Sequence, residues 1–130
     1  MFSVSPDEFE KLVHDSVDNL PKIHKDKLTN VGFFVLDFPT KEQAIRSGLR
    51  PGQMLLGLYE GVPLSKRGGT LKLLPDTITL FKKPIELSVN TYPELLEQIH
   101  KTVWHEVAHY FGLDHDKIYD IQAKSNKSKD

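Results

Sequence analysis

Apolar residues at Phe9, Leu12, Val13, Val17 and Leu20 recur at three- and four-residue intervals, the spacing of one helix face. Ser5 ahead of Pro6, with Glu8 three residues after Ser5, forms a capping-box signature for the start of this helix, and Pro21 ends it. A lysine-rich connection runs from Lys22 to Asn30. The near-continuous apolar run from Val31 to Phe38 then has strand length and reads as a central strand, stopped by Pro39. Thr40 to Ser47 suits one or two turns of helix, and Gly48, Pro51 and Gly52 punctuate a loop. Met54 to Glu60 predicts a second strand leading into the turn Gly61-Val62-Pro63. Lys66 to Thr70, with its paired glycines, predicts a loop tip of solvated charge. Thr77 to Phe81 is β-branched and alternating, a third strand, and its neighbours Pro75 and Pro84 argue for the edge of a sheet.

Thr91-Tyr92-Pro93-Glu94 repeats the capping-box pattern. Leu95, Leu96, Ile99, Val103, Val107 and Ala108 continue it as an apolar stripe as far as Gly112. The helix they predict, about 20 residues long, exceeds the ordinary length and should be central. A short last helix is expected from about Asp116 to Ala123. Residues 124–130 hold no apolar side chain and are expected to be a disordered tail. The pattern predicts one α+β domain over residues 1–123: a small mixed sheet packed with an N-terminal backing helix and a long C-terminal helix.

Composition narrows the chemistry. With 130 residues there is room for one core. A formal net charge of -1 gives no global attraction to nucleic acid or to an anionic membrane. The chain has no cysteine, which excludes disulfides, thiolate catalysis and cysteine-held metals. Any metal must therefore be held by His, Asp or Glu. The first residues lack the basic and apolar regions of a signal peptide, and no run approaches a membrane span, so a cytoplasmic protein is expected.

The chemistry concentrates in His105-Glu106-Val107-Ala108-His109-Tyr110-Phe111-Gly112-Leu113-Asp114-His115, which fits H-E-x-x-H-x-x-G-x-x-H. Four residues apart on a helix, His105 and His109 point to one side about 40° apart, the bite that zinc needs from two imidazoles. Gly112 can take a positive φ and stop the helix, so that the chain turns back and His115 supplies a third nitrogen. Three histidines leave a fourth position open for water, the mark of a catalytic zinc site. Glu106 is turned away from ligation but can reach that water as general base. With each fixed residue at a usage of roughly 5%, the pattern should arise by chance in only a few per 100,000 chains of this length. Its place at the end of a capped helix strengthens it further.

This motif is the extended zinc signature of metzincin-type metallopeptidases. Metzincins carry a methionine turn after the third ligand, whereas Met1 and Met54 both precede it here. Together with Gly57-Leu58-Tyr59-Glu60-Gly61-Val62-Pro63-Leu64 and Pro75-Asp76-Thr77-Ile78-Thr79-Leu80-Phe81-Lys82-Lys83-Pro84, the motif more closely resembles the small bacterial zincin-like metallopeptidases. The resemblance implies a minimal zincin fold, one zinc per chain on His105, His109 and His115, Glu106 as general base, and a peptide or protein substrate. That family often places an acidic residue at the last ligand position, where this chain has His115. By analogy with zincins, the Thr77–Phe81 strand is a candidate for holding an extended substrate by backbone pairing.

Other residues have weaker claims. His100 lies about 140° around the helix from His105 and should not join the metal. His14 and His24 read as surface residues, and Trp104 as core. Asp114 or Asp116 could orient a ligand or replace His115. Tyr59, Tyr110 and Tyr119 are each candidates to donate to an oxyanion, and Arg67 a weaker candidate to touch substrate. Two other functions compete. Bacterial rRNA-maturation endoribonucleases carry a similar histidine run, though typically without Glu at the second position. A zinc-stabilised binding module without turnover is the third reading. The sequence leaves the oligomeric state open.

Overall fold

The computed structural model describes residues 1–61 and 75–112. The long α1 (Pro6–Asp18) begins where the sequence predicts. Ser5 Oγ accepts the Glu8 amide at 3.1 Å, and Pro6 occupies the first turn, where no amide is needed. The reciprocal half of the box is redirected: the Glu8 carboxylate accepts instead from the Tyr92 hydroxyl at 3.1 Å, tying the starts of the two long helices together. A one-turn helix, α2 (Lys22–Lys25), stands where the sequence suggested only a connection. With four residues it is too short to show an apolar period. Next come β1 (Val31–Leu36), α3 (Lys41–Arg46, with Thr40 and Gln43 in a full capping box) and β2 (Gly57–Glu60). After residues 62–74 follow β3 (Asp76–Phe81), α4 (Lys82–Leu87) and α5 (Tyr92–Tyr110).

The three strands form a mixed sheet in the order β1-β3-β2. β3 runs parallel to β1, with Phe33 opposite Ile78, and antiparallel to β2, with Leu58 opposite Thr79. This reverses two expectations. The Thr77–Phe81 strand, expected at an edge, is the centre, and the Val31 strand, expected in the centre, is an edge among the described strands. The prolines do not interrupt β3. Pro75 precedes its first residue, and Pro84 falls in the first turn of α4, where a missing amide costs no hydrogen bond. In β1 the apolar run is not buried on both faces. Phe33 and Val35 pack on the core, while Phe34 and Leu36 stay 52% and 39% exposed.

α5 lies across one face of the sheet, against β2 and β3, and α1 packs on α5. Phe9, Leu12 and Val13 of α1 meet Leu95, Ile99, Val103 and Val107 of α5 and Ile78 and Leu80 of β3 in one buried cluster. Leu96, counted in the α5 stripe, instead faces solvent. The expected α+β architecture, with a backing helix and a long C-terminal helix, is the one observed. The helix expected from Asp116 and the tail 124–130 lie outside the described residues.

α4 also fastens the N-terminus. Glu86, fully buried, accepts from Val4 N at 2.8 Å, Ser3 Oγ at 3.1 Å and the buried Lys82 ammonium at 3.1 Å. One carboxylate thus satisfies three donors from two segments.

No helix among the described residues is long and apolar enough to cross a membrane.

Candidate metal centre

The last turns of α5 carry the motif. Phe111 caps the helix and Gly112 follows at φ 82°, the left-handed conformation that the sequence assigned to it. His105 and His109 are both half-buried, their rings 4.9 Å apart and steeply inclined at 73°. One nitrogen of each histidine and a carboxylate oxygen of Glu106 all lie within 4.8 Å of one another. Ligand atoms on a single zinc, each at about 2.1 Å, can be no more than about 4.2 Å apart. Small side-chain rotations therefore bring the two imidazoles to bonding distance of one ion, and two imidazoles with a carboxylate beside them suit a divalent cation. The residues present fit the metal that the motif implies. His115, the predicted third nitrogen, lies outside the described residues, as do Asp114, Asp116, Tyr119 and Arg67.

Glu106 is buried, and its Oε1 accepts the Tyr59 amide of β2 at 3.0 Å. Burial pushes its carboxyl up to about 7, while the Tyr59 amide pulls the other way by stabilising the charged form. A backbone donor from a sheet strand thus aims the carboxylate, although nothing in the sequence marks a main-chain amide for that task.

Gly57 makes this approach possible. A Cβ at position 57 would lie 2.7 Å from Thr102 Cγ2 and 3.2 Å from Glu106 Cγ. Glycine inside a strand is a readable sign of close backbone approach, and here the approach is of β2 to α5. Gly57→Ala is therefore expected to cost about 1–3 kcal/mol and to lower any activity that depends on Glu106. Removing the opposing methyl with Thr102→Ser in the same chain should restore much of both. Urea unfolding of the two variants checks this, and a double variant no more stable than Gly57→Ala would refute the steric account.

The remaining candidates sort by their contacts. Tyr110 donates its hydroxyl to Lys27 O at 3.1 Å and is committed to holding the segment after α2. His100 Nδ1 lies 3.1 Å from Ser16 Oγ, joining α5 to α1 away from the metal group, as its angle around the helix required. His14 is exposed beside Glu10. His24, expected at the surface, is instead half-buried between Trp104 and Phe111, with ring centroids at 5.0 and 5.7 Å. Trp104 packs against the core as expected.

Comparison with known proteins agrees with this geometry. No curated protein matches the chain. Among solved structures, a conserved hypothetical protein from Thermo thermophilus is 21% identical, with a TM-score of 0.55 over 97% of this chain and 100% of its own. That likeness concerns the fold. The family model described as zincin-like metallopeptidase matches residues 28–124. The match takes in all three strands and the whole of α5 with its His-Glu-His group, and the chain belongs to the zincin-like metallopeptidase family.

Proposed function

We propose that this chain is a zinc-dependent peptidase, with His105, His109 and His115 holding one metal and Glu106 acting as general base. The observation that carries this reading is the His105-Glu106-His109 group, with its carboxylate buried and fixed by the Tyr59 amide. Bound zinc supplies an acidified water and polarises the substrate carbonyl. The two imidazoles, presented from consecutive turns of α5, orient the metal-binding face toward the groove beside β2. Glu106 Oε2 accepts a proton as the carbonyl is attacked and returns it to the leaving amine.

β3 cannot hold substrate by backbone pairing as the sequence suggested, because both its edges are occupied by β1 and β2. Among the described strands, the edge beside the histidines belongs to β2. Leu56 O accepts from Phe81 on the sheet side, so by alternation the polar groups of Gly57 face away from β3. The Tyr59 amide on that side is taken by Glu106, which leaves the polar groups of Gly57 for an extended peptide.

Metal analysis of protein purified without added metal should give close to one zinc per chain. A peptide library should be cleaved, and a chelator should abolish the cleavage. Zinc-loaded protein that leaves every peptide intact but cuts structured rRNA would overturn the reading in favour of a ribonuclease. Inertness toward both would favour a binding module.

A further inference from the structure

Two cavities meet at the metal group. The first, about 410 Å³, runs along α5 toward its N-terminus, between Met54, Leu55 and Leu56 on one side and Lys101 and Thr102 on the other. The second, about 340 Å³, runs the opposite way, past Leu58, Tyr59 and His109 to Ser47 at the end of α3. Both are lined by Gly57, His105 and Glu106, so the reacting group sits at their junction. Each volume exceeds the roughly 300 Å³ at which cavities begin to hold small organic ligands. A substrate whose scissile carbonyl lies at the histidines therefore has room to continue in both directions.

The charges in the lining say what kind of chain continues. An enzyme that trims chain ends must hold a terminal ammonium or carboxylate within a residue or two of the bond it cuts. Holding that charge out of water requires a fixed opposite charge. Among the described residues, and apart from histidines, the only side chain lining the second cavity that carries a charge is Glu106, already engaged with Tyr59. The first adds only Lys101 among the described residues, and that side chain is half exposed and paired with Glu97 at 3.1 Å. The remaining walls are largely aliphatic.

Resting on the peptidase reading above, we propose that the site is that of an endopeptidase: it takes an internal stretch of polypeptide through both cavities and prefers apolar side chains on both sides of the cleaved bond.

The test uses matched octapeptides with free ends or with acetyl and amide caps, and mass spectrometry to locate the cuts. Capped peptides should be cut at internal bonds, at rates within about twofold of their free-ended counterparts, with Leu, Met or Phe enriched on both sides. Met54→Glu, a change at an exposed position, should weaken the apolar preference on one side only, by about tenfold, the scale of a methylene-sized misfit in an apolar pocket. Cuts confined to the outermost bonds of free-ended peptides, and lost on capping, would overturn the proposal and leave the peptidase reading standing. If Lys101→Ala also abolished those cuts, the terminus would be a carboxylate.

Fluorescence polarisation with Glu106→Gln protein separates binding from turnover. Equal binding of capped and free-ended peptides supports the two-sided cleft even where wild-type protein cuts nothing, in which case only the peptidase reading fails. Binding of free-ended peptides alone, or of neither kind, overturns the cleft.

Discussion

Glu106→Gln is expected to keep the metal and to lower kcat/KM for peptide cleavage by roughly 100- to 10,000-fold, the usual contribution of a positioned acid-base group. The substitution is almost isosteric. The glutamine carbonyl can take over the place of Oε1 and go on accepting the Tyr59 amide, so β2 and α5 keep their spacing. An amide in place of Oε2 can no longer take up a proton. The side chain is buried, and the neutral amide removes the unfavourable burial of charge that raises the carboxyl's proton affinity. Stability should therefore hold or rise while turnover falls. Zinc content, urea unfolding and steady-state kinetics on one preparation separate these effects. Undiminished turnover in a fully loaded variant would remove Glu106 from the mechanism. Lost metal would instead make it a ligand.

Glu86→Ala should be the most damaging change away from the histidines, at about 3–5 kcal/mol. The loss would consume much of the roughly 5–15 kcal/mol typical of a whole domain. Three donors converge on this carboxylate, and one of them, Lys82, is only 3% exposed. Truncation leaves an ammonium without its counter-charge and releases Ser3 and Val4 from α4. Glu86→Gln, which still accepts hydrogen bonds, should lose less. Replacing both partners with Lys82→Met and Glu86→Leu should recover most of the loss, because no charge is then left buried alone. The urea midpoints of the three variants should rise in that order, the alanine variant lowest. An alanine variant as stable as the wild type would show that the carboxylate holds nothing together.

What was legible in the sequence was mostly what is local. The spacing of His105 and His109 is a property of one helix, and so are the caps at Ser5 and Thr91 and the positive φ at Gly112. The amphipathic faces of α1 and α5 identified most of the core for the same reason. Strand order was misread because pairing joins segments far apart in sequence, and no single strand carries its neighbours' identity. Pro75 and Pro84 looked like obstacles to a central strand, but they stand just outside β3. β1 looked buried because its apolar residues run together, although Phe34 and Leu36 face outward. α4 went unread because Pro84 was weighed only as a sign of a sheet edge, when it sits in a first helical turn. At the site the histidines and Glu106 were readable as residue types. The hold on Glu106 was not, since its donor is a main-chain N–H that every amino acid except proline carries.

That hold has an evolutionary side. Because a peptide amide aims the Glu106 carboxylate, the residue at position 59 can change freely with respect to this bond, and only proline would break it. The lining of the second cavity can therefore drift at Tyr59, and the shape of that cavity with it, while the aim of the Glu106 carboxylate stays inherited from the backbone.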